Sequence, residues 1–126
     1  MTVLLDTNAF LWWITDAPRL SARARKAIAG SSCLLSIASC WEIAIRASLG
    51  HLNVPSPLNR FLQQQIEVNG FHLLPISLEH ATAVRDLPFY HRDPFDRLIA
   101  AQARHEEIPI VTKGRIFSDY GVKRIW

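Results

Sequence analysis

Residues 1–8, Met1-Thr2-Val3-Leu4-Leu5-Asp6-Thr7-Asn8, decide the fold. Val3-Leu4-Leu5 is apolar without alternation and stops abruptly at three polar residues. A strand with one solvated face alternates apolar and polar positions, whereas an uninterrupted apolar run marks a strand covered on both faces, as in a parallel sheet. Asp6 is then where the buried strand returns to solvent. Working outward, Ala9 to Ile14 has helical character, Pro18 breaks it, and Ser21 is placed to cap a second helix through Ile28 that Gly30 closes. Cys33-Leu34-Leu35-Ser36 is a second apolar run. The spacing predicts a helix over Ser39 to Leu49, with Trp41, Ile45 and Leu49 on one face and Gly50 as its stop. Ser56-Pro57 opens a helix through Val68 that ends at Asn69-Gly70, and Phe71 to Ile76 reads as a third strand. Ser77 caps a helix ending near Leu87-Pro88, and Asp93-Pro94 caps another reaching about Glu107. Ile108 to Thr112 is a fourth strand, and a helical turn at Ile116 to Asp119 and a strand from Val122 to Trp126 close the chain.

Apolar strands alternating with helices predict an α/β/α sandwich around a central parallel sheet of four to five strands. A length of 126 residues with 49% hydrophobic side chains suits one domain over residues 1–126 and excludes global disorder. No apolar run approaches the roughly 20 residues that span a bilayer, and the N-terminus lacks a basic, apolar leader, so the expected compartment is the cytoplasm, with no membrane partner. Two cysteines, Cys33 and Cys40, cannot staple a disulfide scaffold, and histidines 51, 72, 80, 91 and 105 show no zinc-like spacing with them. Fourteen basic against 11 acidic side chains permit an anionic partner without naming it.

In open parallel sheets, ligands bind beyond the carboxyl ends of the strands. That rule selects Asp6, Ser36 with the Ser39 helix start, and Thr112 to Gly114. Each acid near this edge also has a local explanation. Asp6 suits an N-cap, Glu42 stands three residues after Ser39 at capping-box spacing, and Asp93 before Pro94 is well placed to cap, leaving Asp96 to face the mouth. Carboxylates gathered at one edge raise one another's pKa unless a cation lies between them, and Mg²⁺ or Mn²⁺ accepts oxygen ligands while keeping several waters.

Four segments occur in order: 5–8 (LDTN), 36–44 (SIASCWEIA), 91–103 (HRDPFDRLIAAQA) and 110–117 (IVTKGRIF). Together they resemble the PIN domain, more closely the VapC-type toxins of bacterial and archaeal toxin–antitoxin pairs, over nearly the whole chain. The resemblance implies an Mg²⁺-dependent endoribonuclease, with Mn²⁺ as a substitute, whose catalytic and metal-binding acids are Asp6, Glu42 and Asp96. Asn8, Ser36 and Thr112 would line the site with Asp93 as an auxiliary acid. The family usually places a further acid after the Thr-Lys pair, where this chain has Gly114. Arg46, Arg97, Lys113 and Arg115 are candidates for RNA phosphate contacts, and Phe89 and Tyr90 for base stacking or core. Expected partners are RNA, a small antitoxin and a second copy in a homodimer. The face carrying Phe10, Leu11, Trp12 and Trp13, with Trp41 and residues 44–48, is expected either to meet those protein partners or to be buried on two sides. Gly114 leaves room for a catalytically impaired PIN-type binding protein. A receiver-like signalling domain needs an acid after its third strand, and Leu74-Pro75-Ile76-Ser77 supplies none.

Overall fold

A computed structural model describes residues 1–90 and 92–126; His91, first in the third quoted segment, lies outside the described residues. Five strands, β1 (Thr2–Leu5), β2 (Ser32–Ser36), β3 (His72–Leu74), β4 (Ile110–Val111) and β5 (Arg124–Ile125), form one sheet in the order β3-β2-β1-β4-β5. Every pairing is parallel. The helices are α1 (Thr7–Ile14), α2 (Ala22–Gly30), α3 (Ile37–Ser48), α4 (Leu58–Val68), α5 (Leu78–Ala83), α6 (Pro94–Glu106) and α7 (Ile116–Asp119), with a 3-10 turn at Val84–Asp86.

The uninterrupted apolar run of β1 has the consequence expected of it. Val3, Leu4 and Leu5 are all fully buried. Val3 and Leu5 pack with Phe10 of α1, Ile28 of α2 and Leu62 of α4, while Leu4 points to the opposite face among Ile99 of α6, Ile110 and Phe117 of α7. Helices therefore cover both faces of the sheet, and each buried aliphatic side chain contributes about 1.5–3 kcal/mol. Among the described residues, no helix is long and apolar enough to cross a membrane.

Element boundaries moved for local reasons. The third and fourth strands are shorter than predicted, because Pro75 follows β3 and Pro109 precedes β4 and neither has an N–H for a ladder. Helix α3 starts at Ile37 rather than Ser39, because the Ser36 hydroxyl accepts from Ala38 N at 3.0 Å and acts as the cap. The predicted capping box between Ser39 and Glu42 is therefore not formed. Nor do Trp41 and Leu49 face the core, being 58% and 62% exposed, while Ala38, Ser39 and Ile43 form the buried stripe.

The aromatic start of α1 is largely covered by the chain itself. Phe10 and Leu11 are buried, Trp12 lies 5.8 Å from the Trp126 ring, and Trp13 Nε1 donates to Asn69 Oδ1 at 3.0 Å. Two-sided burial thus accounts for Phe10 and Leu11, while Trp12 and Trp13 stay partly exposed and Trp41 is exposed.

Arg97 of α6 is a buried fastener. Its Nη1 donates to Pro88 O at 2.9 Å and its Nη2 to Val84 O at 3.1 Å and Leu87 O at 3.4 Å, with the Phe89 ring 4.5 Å from its Cζ. These bonds tie residues 84–89 to the helix that carries Asp96. Replacing Arg97 with Gln leaves buried carbonyls without donors and is expected to lower unfolding free energy by about 2–4 kcal/mol, read as a shift of the urea midpoint with an unchanged slope.

Candidate active site

From β1 the chain winds through β2 to β3 on one side and returns to place β4 and β5 on the other, so β1 and β4 flank the point where the winding reverses. Their carboxyl ends diverge into a crevice, the usual ligand position in such sheets. Asp6 stands there, its N–H donating to Val111 O at 3.1 Å. Its Oδ1 accepts from Ala9 N at 2.6 Å and caps α1, and its Oδ2 accepts from Thr112 Oγ1 at 2.5 Å. Gly114 N donates in turn to Thr112 Oγ1 at 2.9 Å. Capping and membership of the site are therefore the same arrangement for Asp6. Around it opens a pocket of about 290 Å³ lined by Asp6, Asn8, Asp96, Thr112, Lys113 and Gly114, together with Trp12 and part of α7.

Glu42 reaches the same neighbourhood from α3. Thr7 Oγ1 donates to Glu42 Oε1 at 2.7 Å and lies 2.9 Å from Ser39 Oγ, and Arg46 Nη1 is 3.9 Å from Glu42 Oε2. Thr7, 4% exposed, was not among the predicted site residues, whereas Ser39, 0% exposed, was selected as a helix start beside the strand ends. The available signal was Thr7's position between Asp6 and Asn8 at the end of a buried strand. Asp93 caps α6 by accepting from Phe95 N at 2.9 Å and Asp96 N at 3.2 Å, which sets Asp96 in the first turn facing the crevice.

The acids act on one another. Burial pushes the Asp6 carboxyl up to about 6, against the hydrogen bonds from Thr112 and Ala9, and the charges of Asp96 and Glu42 push the same way. Burial also raises Glu42, opposed by the Thr7 hydroxyl and reinforced by Asp93 and Asp96, with Arg46 opposing weakly. Four carboxylates thus share one electrostatic neighbourhood. Hard oxygen donors that disfavour one another's ionisation are the kind of set that suits a hard divalent cation.

Other predicted residues fall into place or out of it. Asn8 lines the pocket and accepts from Arg46 Nη1 at 3.2 Å. Ser36 does not line it: the side chain is fully buried at the α3 cap, donating to Gln102 Oε1 at 2.5 Å. Arg97 is likewise no phosphate contact, because its guanidinium is committed to backbone carbonyls. Lys113 is exposed at the pocket, and Arg115 is exposed at the start of α7 outside the lining. Phe89 and Tyr90 are 76% and 57% exposed, so neither is core. At Gly114 a Cβ would stand 3.3 Å from Phe117 ring atoms and from Thr112 Oγ1, so the glycine matches close packing at the position where an acid was expected.

Among the described residues, the group of potential ligand atoms lying within 4.8 Å of one another is instead His80, His105 and Glu106. His80 Nδ1 accepts from Ser77 N at 3.1 Å, which places the neutral ring's proton on Nε2, 3.6 Å from Glu106 Oε2. A protonated nitrogen has no lone pair for a metal, so the Ser77 cap disfavours metal ligation through Nε2 there.

The PIN domain model matches residues 3–123. The chain belongs to the PIN domain family. This PIN domain is 35% identical over 118 residues to Ribonuclease VapC22 of Mycobacterium tuberculosis, covering 90% of this chain and 88% of that protein. The fold is shared with VapBC2 from Rickettsia felis bound to a DNA fragment from their promoter, at a TM-score of 0.69, 16% identity and full coverage of both chains. A toxin-antitoxin complex from Klebsiella pneumoniae matches at a TM-score of 0.54 and 16% identity, covering 89% of this chain and 86% of that one.

A carboxyl whose pKa is higher folded than unfolded binds its proton more tightly in the folded state. Asp6 therefore lends stability below its unfolded pKa, near 3.8, and that contribution is lost as pH rises through about 6. In EDTA at pH 7.5, Asp6→Asn is expected to be about 1–2 kcal/mol more stable than wild type, part of the gain being offset by the lost Thr112 bond. The difference should vanish near pH 4 in paired thermal melts.

Proposed function

We propose that this chain, one PIN domain over residues 1–126, is a divalent-metal-dependent endoribonuclease acting in the cytoplasm as the toxin of a toxin–antitoxin pair. The observation that carries the reading is the crevice between β1 and β4, where Asp6, Glu42 and Asp96 from three separate elements share one field. The 35% identity to a protein named as a ribonuclease supports RNA as substrate.

Asp6 and Asp96 would hold Mg²⁺, or Mn²⁺ in its place, and the bound ion supplies positive charge for a phosphoryl oxygen and lowers the pKa of a water. The chain's own residues do the rest. Glu42 Oε2, the oxygen not taken by Thr7, accepts the proton of the attacking water. Thr112 holds Asp6 in orientation through Oδ2. Lys113, exposed at the pocket, neutralises a flanking phosphate, with Arg46 and Arg115 as outer basic contacts.

An antitoxin seat is supported by a second groove of about 280 Å³, lined by Leu11, Trp12, Leu52, Val54 and Phe61, which shares Asn8 and Trp12 with the acidic pocket. An apolar segment lying in it ends beside the acids and blocks RNA. Trp41, exposed and stacked edge-on against Phe95 at 5.2 Å, is the patch assigned to a homodimer.

Gly114 favours the second reading, a catalytically impaired PIN-type binding protein, and metal titration separates the two. Wild type should cleave single-stranded RNA with Mg²⁺ and stop in EDTA, while Asp6→Asn and Asp96→Asn should each lose about 100-fold or more in rate. Full metal-dependent cleavage by both variants would remove these acids from the mechanism. No Mn²⁺ binding and no nicking by wild type would leave the binding-protein reading.

A further inference from the structure

We propose that Thr7 is a positioning residue for the reaction: its hydroxyl fixes which oxygen of Glu42 faces the crevice. The inference deepens the metal-dependent reading and rests on it. Thr7 is the first residue of α1, between Asp6 and Asn8, which both line the pocket, yet its side chain turns away from the pocket toward α3. It is 4% exposed, its hydroxyl 2.7 Å from Glu42 Oε1 and 2.9 Å from the fully buried Ser39 Oγ.

A hydroxyl has one proton to give and two lone pairs to offer. The carboxylate is the stronger acceptor, so the proton goes to Glu42 Oε1, and the Ser39 hydroxyl is free to donate to Thr7. Glu42 Oε1 is thereby occupied on the α1 side. Oε2 is left free of Thr7 and stands 3.9 Å from Arg46 Nη1. A glutamate side chain has three torsions to order, and a buried charge-assisted hydrogen bond is of a strength to order them.

The arrangement makes one short turn hold two acids. Asp6 is placed by its own backbone at the end of β1, and Glu42, 36 positions later in the sequence, is placed by the next residue's hydroxyl. The separation of the two carboxylates is then set by the strand end and not by the length of a flexible side chain. Residues in this outer position around metal ligands typically change affinity or activity by about 10–100-fold when removed.

The test compares Thr7→Val, which keeps the shape and loses the hydroxyl, with Thr7→Ser, which keeps the hydroxyl and loses the methyl. Both full-length proteins are measured beside wild type for Mn²⁺ affinity by calorimetry, for kcat and KM on RNA, and for thermal midpoint. Thr7→Val should lower kcat about 10–100-fold, weaken Mn²⁺ binding severalfold and leave KM within about twofold; Thr7→Ser should restore both to within about threefold. A Thr7→Val kcat and Mn²⁺ affinity within twofold of wild type would overturn the inference. So would equal losses in Val and Ser, since the methyl's packing would then be what matters. If Thr7→Val fails to fold, Thr7→Ala against Thr7→Ser makes the same comparison, the two differing by the hydroxyl alone. If wild type shows no metal-dependent cleavage, the reaction reading fails separately, and the Mn²⁺ affinities of Val and Ser still decide Thr7, equality going against it.

Discussion

Strand β1 is buried on both faces and paired on both edges, by β2 from Thr2 to Leu5 and by β4 at Leu4 and Leu5. Because the strand cannot shift, the turn that follows it cannot either, and the 2.5 Å hydrogen bond between Thr112 and Asp6 closes the crevice across 106 positions of sequence. The second acid depends on the same turn through Thr7, and the third through α6, whose Ile99 packs against the Leu4 face of the strand. A rigid backbone is what makes a carboxylate cluster a site and not a collection of surface charges.

That rigidity has an electrostatic cost. Burial first, and the neighbouring acids after it, disfavour ionisation of Asp6 and Glu42 and raise both pKa values. Two threonine hydroxyls and a backbone N–H oppose the effect, each donating to an oxygen of an acid. Lys113 lines the acidic pocket and Arg46 stands beside Glu42.

The order of strands and helices was legible because it rests on apolar runs and on breakers such as Pro18, Gly50 and Asn69-Gly70, which act locally. The acids Asp6, Asp93 and Asp96 were legible for a related reason, since strand ends and helix starts are written in neighbouring residues. Ser36 and Ser39 show where such signals fail. Both precede a helical pattern, and only pairing of Ser36 with Leu74 in the sheet and burial of Ser39 under Thr7 choose between them. Arg97 fails in a different way: an arginine beside an acid reads as a surface cation, and its burial depends on carbonyls 9 to 13 residues upstream that fold back over α6. The exposed Trp41 and Leu49 likewise follow from where α3 begins, not from its periodicity.

By itself the sequence determined a parallel sheet with helices on both faces, since its unalternating apolar strands need cover on both sides and alternate with helical segments. It also determined that Asp6 would stand at the end of the first strand and that Asp93 and Asp96 would stand at a helix start. Only the tertiary structure decided how those acids are held. Which hydroxyl meets which carboxylate oxygen depends on contacts between residues 35 and 106 positions apart, and which arginine is structural depends on carbonyls 9 to 13 positions upstream that fold back over α6. Such contacts exist only after the sheet has closed, so no local pattern in the chain encodes them.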